Sequence, residues 1–283
     1  MNERDPLVRD GTPWEEHRAS GRTVFVKRED LCARIGPPFS KMRGLVAFAR
    51  ACDESVLAAL DSYHSQAGWA LACACRALGR RAVVFYPEVK GEPGWRKSQQ
   101  EAAKEGAEIV ALPATRSSVL WYQARRRLAE THPGARLIPN GLVLEESVAA
   151  TARELLDFTP AELLVPSATW VVSVSSGNIA AGVARGLVRA LFRGRLVLHL
   201  GYARDEERLL DDLGRRSCGD AEFPFPFRLE FVNEGYAYRD SVDCPCPFPS
   251  NAYYDRKAWK WIDGVGAGAL DSADPLVFWN IGD

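Results

Sequence analysis

Lys41 is the residue of this chain whose setting is most suggestive of chemistry. It stands beside Ser40, after the strand-like run 23–27 and the Gly-Pro-Pro turn at 36–38, and it begins a helix-forming run. A lysine in this setting is either an ordinary surface residue or an amine that forms an imine with a carbonyl compound. Composition alone favours the surface interpretation. The segments that are expected to meet Lys41 must therefore distinguish a surface lysine from an imine-forming one.

The segment 173–182 is the clearest chemical signal elsewhere in the chain. Its small residues follow a buried-strand pattern at 170–174 and precede a helix. Backbone N–H groups at the positive end of a helix hold phosphate without a dedicated basic side chain. A tight turn without a ligand has the same composition, so the pattern alone leaves both interpretations open.

A second polar turn, 61–68, also joins a strand to a helix. The carboxyl ends of parallel strands open onto a common crevice, so this turn is expected to face the turn at 173–182. His64 lies within it. A histidine in such a turn is typically a cap or a hydrogen-bonded structural residue, which makes His64 a weak catalytic candidate.

Strands and helices alternate along the chain in the order needed to position these turns. Strand patterns lie at 23–27, 56–60, 81–86, 108–112, 137–139, 170–174, 196–202 and 276–279. Helix patterns lie at 41–52, 69–78, 95–105, 117–131, 142–156, 182–193 and 255–262. This alternation predicts an α/β fold with parallel sheets covered by helices on both faces. The Pro- and Phe-rich stretch 222–250 is predicted to be an irregular surface or lid segment.

Composition narrows the class of protein. Thirty-six basic and 37 acidic residues give a net charge of -1, so no global field indicates nucleic acid or an anionic membrane as a partner, although local basic patches stay open. Seven cysteines without a Cys-x-x-Cys pair argue against a zinc site or a disulfide framework, and no metal is predicted. The charged amino terminus and the lack of an 18-residue apolar run predict a soluble, cytoplasmic protein without a membrane partner.

Several separated segments resemble the fold type II pyridoxal-phosphate enzymes, the tryptophan synthase β family. The likeness is greatest to the branch of aminocyclopropanecarboxylate deaminase and D-cysteine desulfhydrase. Lys27–Leu31 with Ser40–Arg43 is similar to that branch's Lys-Arg-Glu-Asp-Leu and Asn-Lys-x-Arg pair. The other segments that resemble family motifs are Ser65–Gln66 (a Ser-Asn pair), Ser175–Ile179 (the phosphate loop), Tyr254–Ala258 (Tyr-Glu/Thr-Gly-Lys-Ala/Ser) and Val277–Gly282 (Phe-x-His-Thr-Gly-Gly).

The resemblance implies two parallel-sheet α/β domains with pyridoxal 5'-phosphate in the cleft between them. The larger, discontinuous domain would comprise 1–50 and 141–283, and the smaller one 51–140. Catalytic roles fall on Lys41, Tyr254 and Ser65. Cofactor contacts fall on Lys41, Gln66, Ser175, Ser176, Gly177, Asn178, Ile179, Asp255 and Asn280.

Each implied role has a stated chemistry. Lys41 would hold the cofactor as a Schiff base and then act as a base. Asp255 would keep the pyridine nitrogen protonated, although a charge at a helix N-terminus is a competing explanation of this residue. Tyr254 would stack or deliver a proton, and Ser65 with Gln66 would hold a carboxylate or the ring hydroxyl. Ser62, Tyr63 and His64 would be neighbours of this group.

Four positions depart from the family pattern. Gln66 replaces an asparagine, Ile179 and Ile281 replace threonines, and Asn280 replaces a histidine. These departures imply rearranged cofactor contacts and leave the substrate open. A plain dinucleotide-binding domain is disfavoured, because no Gly-x-Gly-x-x-Gly follows the first predicted strand.

The expected function is that of a lyase acting at Cα of an amino-acid group by decarboxylation, deamination or β-elimination. Short divergent members of this fold occur among bacteriophage enzymes that elaborate amino acids attached to thymine in DNA. One alternative is therefore a decarboxylase acting on an amino-acid-modified nucleobase, in the host cytoplasm if the chain is viral. Another is a non-catalytic binding module. Relatives are usually dimers, which implies a homodimer. The three arginines at 125–127 would fit a larger substrate, but a solvent-exposed helix face is the preferred explanation of them.

Overall fold

The protein is described by a computed structural model over residues 5–62, 64–88, 94–113, 116–218, 225–264, 268, 270 and 274–282. Tyr63 and residues 222–224 of the Pro- and Phe-rich stretch lie outside the described residues. Two separate sheets, one of six strands and one of four, organise the described part of the chain.

Ten strands form the two sheets of the described part of the chain. They are β1 (Trp14–Ala19), β2 (Arg22–Arg28), β3 (Val56–Leu60), β4 (Arg81–Pro87), β5 (Glu108–Leu112), β6 (Arg136–Leu137), β7 (Thr169–Val174), β8 (Arg195–Leu200), β9 (Arg228–Val232) and β10 (Leu276–Asn280). The larger sheet has the order β1-β2-β10-β7-β8-β9 and the smaller one β5-β4-β3-β6. All neighbours are parallel except β1 and β2, which pair antiparallel at the edge.

The helices cover both sheets. They are α1 (Lys41–Ala51), α2 (Ala67–Ala77), α3 (Lys97–Lys104), α4 (Ser117–Thr131), α5 (Glu145–Phe158), α6 (Asn178–Arg189), α7 (Glu206–Cys218) and α8 (Asp255–Asp263). Strands β3, β7 and β10 are buried along their whole length, as expected for parallel strands with both faces covered. None of the helices within the described ranges has the length and apolar character that crossing a bilayer requires.

The parallel α/β fold predicted from the sequence is confirmed, with three elements that the patterns did not predict. β1 and α7 were assigned no structure, and β9 falls inside the stretch 222–250, where the prediction of a wholly irregular segment was wrong. β1 and β9 are edge strands with few buried positions, so their hydrophobic pattern is weak. α7 is rich in charge and buries only Leu209, Leu213 and Ser217.

Helix α1 connects the two parts of the molecule. It packs against α5 on one side and α2 on the other. Met42, Leu45 and Val46 lie in the same hydrophobic cluster as Leu57 of β3 and Leu71 of α2. The position of Lys41, the first residue of α1, is therefore determined by both sheets together.

A buried network of four charged side chains holds the start of α1 in place. Lys27 pairs with Glu154 at 2.6 Å, and Arg43 pairs with Glu29 at 2.6 Å and with Glu154 at 3.3 Å. Each of these four residues is at most 5% exposed. Because burying an unpaired charge is costly, the two cations and two anions must be present together. The Lys-Arg-Glu-Asp-Leu motif is thus in part a structural anchor.

Removal of one member tests how much the network contributes to the stability of the fold. Glu154→Ala leaves Lys27 without its carboxylate, and the free energy of unfolding is expected to fall by about 3–5 kcal/mol. Urea denaturation of the apoprotein followed by circular dichroism measures this change. Arg126→Ala, which breaks an exposed pair with Glu130, is the matched control and should change stability little. Equal effects of the two substitutions would contradict the role of the network.

Candidate active site

A cavity of about 420 Å³ lies at the carboxyl ends of strands from both sheets. The segments that follow β3, β7, β8 and β10 all contribute to its wall, and its volume is typical of a small-molecule site. Ten of the residues predicted from the sequence line it: Lys41, Ser65, Gln66, Ser175, Ser176, Gly177, Asn178, Ile179, Tyr254 and Asp255.

The amino group of Lys41 lies inside this cavity. Its Nζ donates hydrogen bonds to the carbonyl oxygen of Gly141 at 2.8 Å and to Oγ of Ser176 at 3.2 Å. Burial lowers the pKa of Lys41 to about 8; repulsion by Arg216 lowers it further, and attraction by Asp255 opposes the shift. The neutral amine, which is the form that attacks a carbonyl carbon, is therefore far more abundant near neutral pH than for an ordinary lysine.

The beginning of α1 is tied to the carboxyl end of the chain. The N–H of Ser40 donates to the carbonyl of Ile281 at 2.9 Å, and Phe39 pairs with Gly282. Gly282 has φ +117°, and a Cβ atom there would lie 2.1 Å from the carbonyl oxygen of Pro38. Only glycine permits this approach, which places the last strand directly beside Lys41.

The turn after β7 presents the positive end of α6 to the cavity. Gly177 adopts φ +81° as the residue before the helix, and the first helical hydrogen bond runs from Ala181 to its carbonyl. The preceding N–H groups, those of Asn178 and Ile179 among them, have no partner within the helix and can bind an anion. The amide of Asn178 donates to the carbonyls of Leu142 and Leu144, which fixes the turn to the segment that contacts Lys41.

Two arginines donate hydrogen bonds to backbone carbonyl oxygens of this turn. Arg204 donates to the carbonyl oxygen of Ser175 at 2.6 Å, and Arg216 donates to that of Ser176 at 3.0 Å. Both carbonyls are thereby engaged by guanidinium groups. The two cations also add positive potential to a turn that already has the character of an anion site.

Asp255 is a buried carboxylate that also lines the cavity. It begins α8, and its Oδ1 accepts hydrogen bonds from Oγ of Ser173 at 2.5 Å and from the N–H of Ile281 at 3.4 Å. Burial raises the pKa of Asp255 to about 7, although the hydrogen bond from Ser173 opposes the shift. The residue is both the first residue of a helix and a group facing the cavity, so the two explanations of it are compatible.

Tyr254, Ser65 and Gln66 complete the polar lining. Burial, reinforced by Tyr238, raises the pKa of Tyr254, so its phenol stays protonated at neutral pH. Oγ of Ser65 accepts from the N–H of Ala67 at 3.1 Å. Oε1 of Gln66 has no hydrogen-bond partner among the described residues, which leaves an acceptor for a ligand.

Asn280, which the sequence assigned to the cofactor, does not line the cavity. It is fully buried, and its amide donates to Oδ1 of Asp30 at 2.9 Å and to the carbonyl of Pro249 at 3.0 Å. Asp30 is held in addition by Arg28. In this structure Asn280 therefore joins β10 to the Lys-Arg-Glu-Asp-Leu motif.

Sequence reasoning missed several residues of the lining. Gly141 acts through its backbone carbonyl, for which the sequence carries no signal. Ser173 could have been found, because it is a polar residue in an otherwise apolar buried strand. The other residues of the lining that were not assigned to the site are Phe39, Ala67, Ser117, Asn140, Leu142, Ala180, Tyr202, Tyr238 and Asn251.

His64 lines the cavity. Its ring stacks on Tyr253 with the centroids 3.5 Å apart and an interplanar angle of 16°. Burial, together with the charges of Arg96, Arg239 and Lys257, lowers the pKa of His64 to about 4. The imidazole is therefore neutral at physiological pH and presents an uncharged aromatic ring.

Comparison with known proteins identifies similar chains. The family described as pyridoxal-phosphate dependent enzyme matches residues 7–198. A "Glycyl-dTMP PLP-dependent decarboxylase" of Pseudomonas phage M6 is 39% identical over 98% of this chain and 100% of its own length. A solved homologue of ACC deaminase superposes with a TM-score of 0.75 at 19% identity, covering 98% of this chain and 91% of that one. Serine racemase from Dictyostelium discoideum gives 0.65 at 17% identity, covering 96% and 92%.

The role of Lys41 is tested by its removal. Lys41→Ala is expected to abolish the borohydride-reducible attachment of pyridoxal phosphate, because this residue supplies the amine in the cavity. Visible absorbance and the mass of the reduced, digested protein measure the attachment. Lys104→Ala, at an exposed lysine paired with Glu101, should retain it. An unchanged spectrum in folded Lys41→Ala would refute the assignment.

The lowered pKa of Lys41 predicts a pH dependence of cofactor uptake. A lysine attacks an aldehyde only as the neutral amine, so the rate of covalent uptake by the apoprotein should rise with pH and level off above about 8. Stopped-flow absorbance measures the rate, and a lysine-containing peptide under the same conditions corrects for titration of the cofactor. A midpoint at the ordinary lysine value of 10.5 would contradict the effect of burial.

Proposed function

The chain belongs to the family of pyridoxal-phosphate dependent enzymes, and we propose that it is a decarboxylase acting on an amino-acid group carried by a thymidine nucleotide. The fold type II architecture and the cofactor that the motifs predicted are confirmed. The observation that carries the proposed reaction is the full-length similarity to the phage decarboxylase of glycyl-dTMP. The cavity supports it with residues suited to each part of that reaction.

The residues of the cavity fit pyridoxal phosphate. Lys41 provides an amine with a lowered pKa, and the N-terminal end of α6 provides N–H groups for a phosphate. Asp255 provides a buried carboxylate for a ring nitrogen, and Oε1 of Gln66 is an acceptor without a partner in the described structure. Ile179 and Ile281, which replace threonines of the family, both line the cavity, and the N–H of Ile281 donates to Oδ1 of Asp255.

Pyridoxal phosphate, when bound, supplies an aldehyde that condenses with amines and a ring that accepts the electron pair left at Cα. Asp255, in its ionised form, would favour a proton on the ring nitrogen of the bound cofactor, because an adjacent anion favours a cation. Lys41 would supply the amine that holds the cofactor and would return a proton to Cα in place of the departing CO2.

Decarboxylation requires the carboxylate of the substrate to be held, and a proton to be delivered where it leaves. Ser65 and Gln66, in the turn at the N-terminus of α2, are suited to hold the carboxylate. Tyr254 keeps its phenolic proton at neutral pH and is placed on the cavity wall as a donor, beside Lys41 as the second candidate. The substrate must carry its free amine and its free carboxylate on the same carbon, because the amine condenses with the cofactor and the carboxylate leaves as CO2.

The alternatives have less support. Deamination and β-elimination use the same residues, but no relative named above links this chain to them beyond a shared fold. A non-catalytic binding module is disfavoured, because Lys41 and Asp255 are retained and face one cavity. The homodimer and the host cytoplasm as the place of reaction stay predictions.

The proposed reaction is tested with the modified nucleotide itself. Holoenzyme incubated with glycyl-dTMP is expected to release CO2, and mass spectrometry should show the matching loss in the nucleotide. Asp255→Asn should still bind the cofactor yet release CO2 about 100-fold more slowly, because the carboxylate no longer stabilises charge in the ring. Release of ammonia in place of CO2, or no reaction of the wild-type enzyme, would overturn the proposal.

A further inference from the structure

Three aromatic side chains, His64, Tyr202 and Tyr238, line the cavity, and Tyr253 stacks on the ring of His64 behind them. These four residues are called the aromatic rim, and the hydroxyl of Tyr202 donates to the carbonyl oxygen of Ser175 at 3.5 Å, so the rim begins at the turn after β7. Tyr202 and Tyr238 meet edge to face with centroids 5.2 Å apart, and His64 lies 6.0 Å from Tyr238. The hydroxyl groups of Tyr238 and Ser62 are 2.7 Å apart. This hydrogen bond joins the segment after β9 to the turn after β3, so the rim bridges both sheets.

Two arginines stand next to the aromatic rim. Arg96 is half-buried and lines a small pocket that shares Ser62 with the main cavity. Arg239 directly follows Tyr238 and is exposed. Both charges act on the ring of His64, since both lower its pKa. Acidic groups near the arginines include Glu88, which lines the small pocket, Asp61, which accepts from Ser98 and Gln99, and Asp240, whose Oδ2 accepts from the N–H of Ala237 at 2.7 Å.

We propose that the aromatic rim, with Arg96 and Arg239, is the subsite for the nucleotide part of the substrate. The pyrimidine ring lies against the rings of His64 and Tyr238, and the two arginines hold the phosphate. This inference rests on the proposed function and adds to it the residues that select a nucleotide-linked amino acid over a free one.

The chemistry of these residues matches that of a nucleotide and is superfluous for a free amino acid. Aromatic side chains stack on bases, and the guanidinium group matches phosphate oxygens with paired N–H donors. A neutral His64 adds a flat ring without adding a positive charge to the site. The amino-acid end is served by Lys41, Ser65, Gln66 and Tyr254, so the aromatic rim is left for another part of the substrate.

The phosphate could belong to a free nucleotide or to a DNA strand, since the two share the chemistry that arginine recognises. The arms of the experiment separate these sources. Glycyl-dTMP, the corresponding nucleoside without phosphate, and an oligonucleotide containing the modified residue are compared as substrates. Use of the oligonucleotide with a steep salt dependence identifies DNA as the source, whereas use of the nucleotide alone identifies the free nucleotide.

The wild-type enzyme is expected to use the phosphate-bearing substrate with a kcat/KM about 10- to 100-fold above that of the nucleoside, mainly through KM. In the double variant Arg96→Gln, Arg239→Gln this ratio should fall to about one. Arg127→Gln, at an exposed arginine near the far end of α4, is the matched control and should keep the wild-type ratio. An undiminished ratio in the double variant overturns the inference.

Binding of dTMP to the holoenzyme separates this inference from the proposed function. If the wild-type enzyme released no CO2, the proposed function would fail, while calorimetry with dTMP would still test the subsite. The double variant should bind dTMP about 10- to 100-fold more weakly than the wild-type enzyme and the Arg127→Gln control. Tyr238→Ala should weaken dTMP and thymidine alike, because both carry the base. Equal affinities of all variants for dTMP would refute the subsite whatever the reaction.

Discussion

The buried network of Lys27, Glu29, Arg43 and Glu154 is the constraint on which the site depends. It joins β2, the first turn of α1 and α5 in a region from which water is excluded. Two positive and two negative groups balance there, and each has at least one partner. Since an unpaired buried charge costs several kcal/mol, α1 has little freedom to shift relative to the larger sheet. The position of the Lys41 amino group is fixed as a result, because Lys41 is the first residue of α1.

In the active-site cavity, by contrast, the buried charges of the described residues are not directly paired. Lys41 and Asp255 are also removed from water, but no direct ion pair joins them to a partner within the described residues. Burial therefore moves both pKa values toward neutrality, that of Lys41 down to about 8 and that of Asp255 up to about 7. A cation and an anion that are this close to losing their charges can exchange protons with a ligand at little cost. Rigid charges around the site and adjustable charges within it are thus complementary.

Much of the fold followed from the sequence, for identifiable reasons. The bounds of β3, β5 and α4 were predicted as observed, since apolar or helix-forming runs there end at clear breakers. The edge strands β1 and β9 escaped because few of their residues are buried. The division into domains at residues 50 and 140 stays a prediction, although the four-stranded sheet draws its strands from 56 to 137.

The site divides in the same manner. Lys41, Asp255 and the turn at 175–179 were predicted by motif, whereas the carbonyl of Gly141 and the guanidinium of Arg216 reach the site only through tertiary structure. Asn280 shows the limit of a motif, because a matching position here carries a side chain that bonds to Asp30 instead.

In the proposed assignment, chemistry and selectivity are carried by different parts of the chain. The residues proposed to act at Cα lie in segments that resemble the family and are held by buried strands and helix ends. Tyr238 and Arg239 lie after β9, in an irregular stretch with no family motif. Tyr238 contacts the cavity with a hydrogen bond to Ser62 and with ring contacts to His64 and Tyr202. Loops of this kind change without disturbing a core, because they carry few buried contacts. Under the proposed function, exchange of that stretch would alter which amine enters the site while Lys41 and Asp255 keep their geometry, so that one fold would serve substrates as different as a free amino acid and a nucleotide.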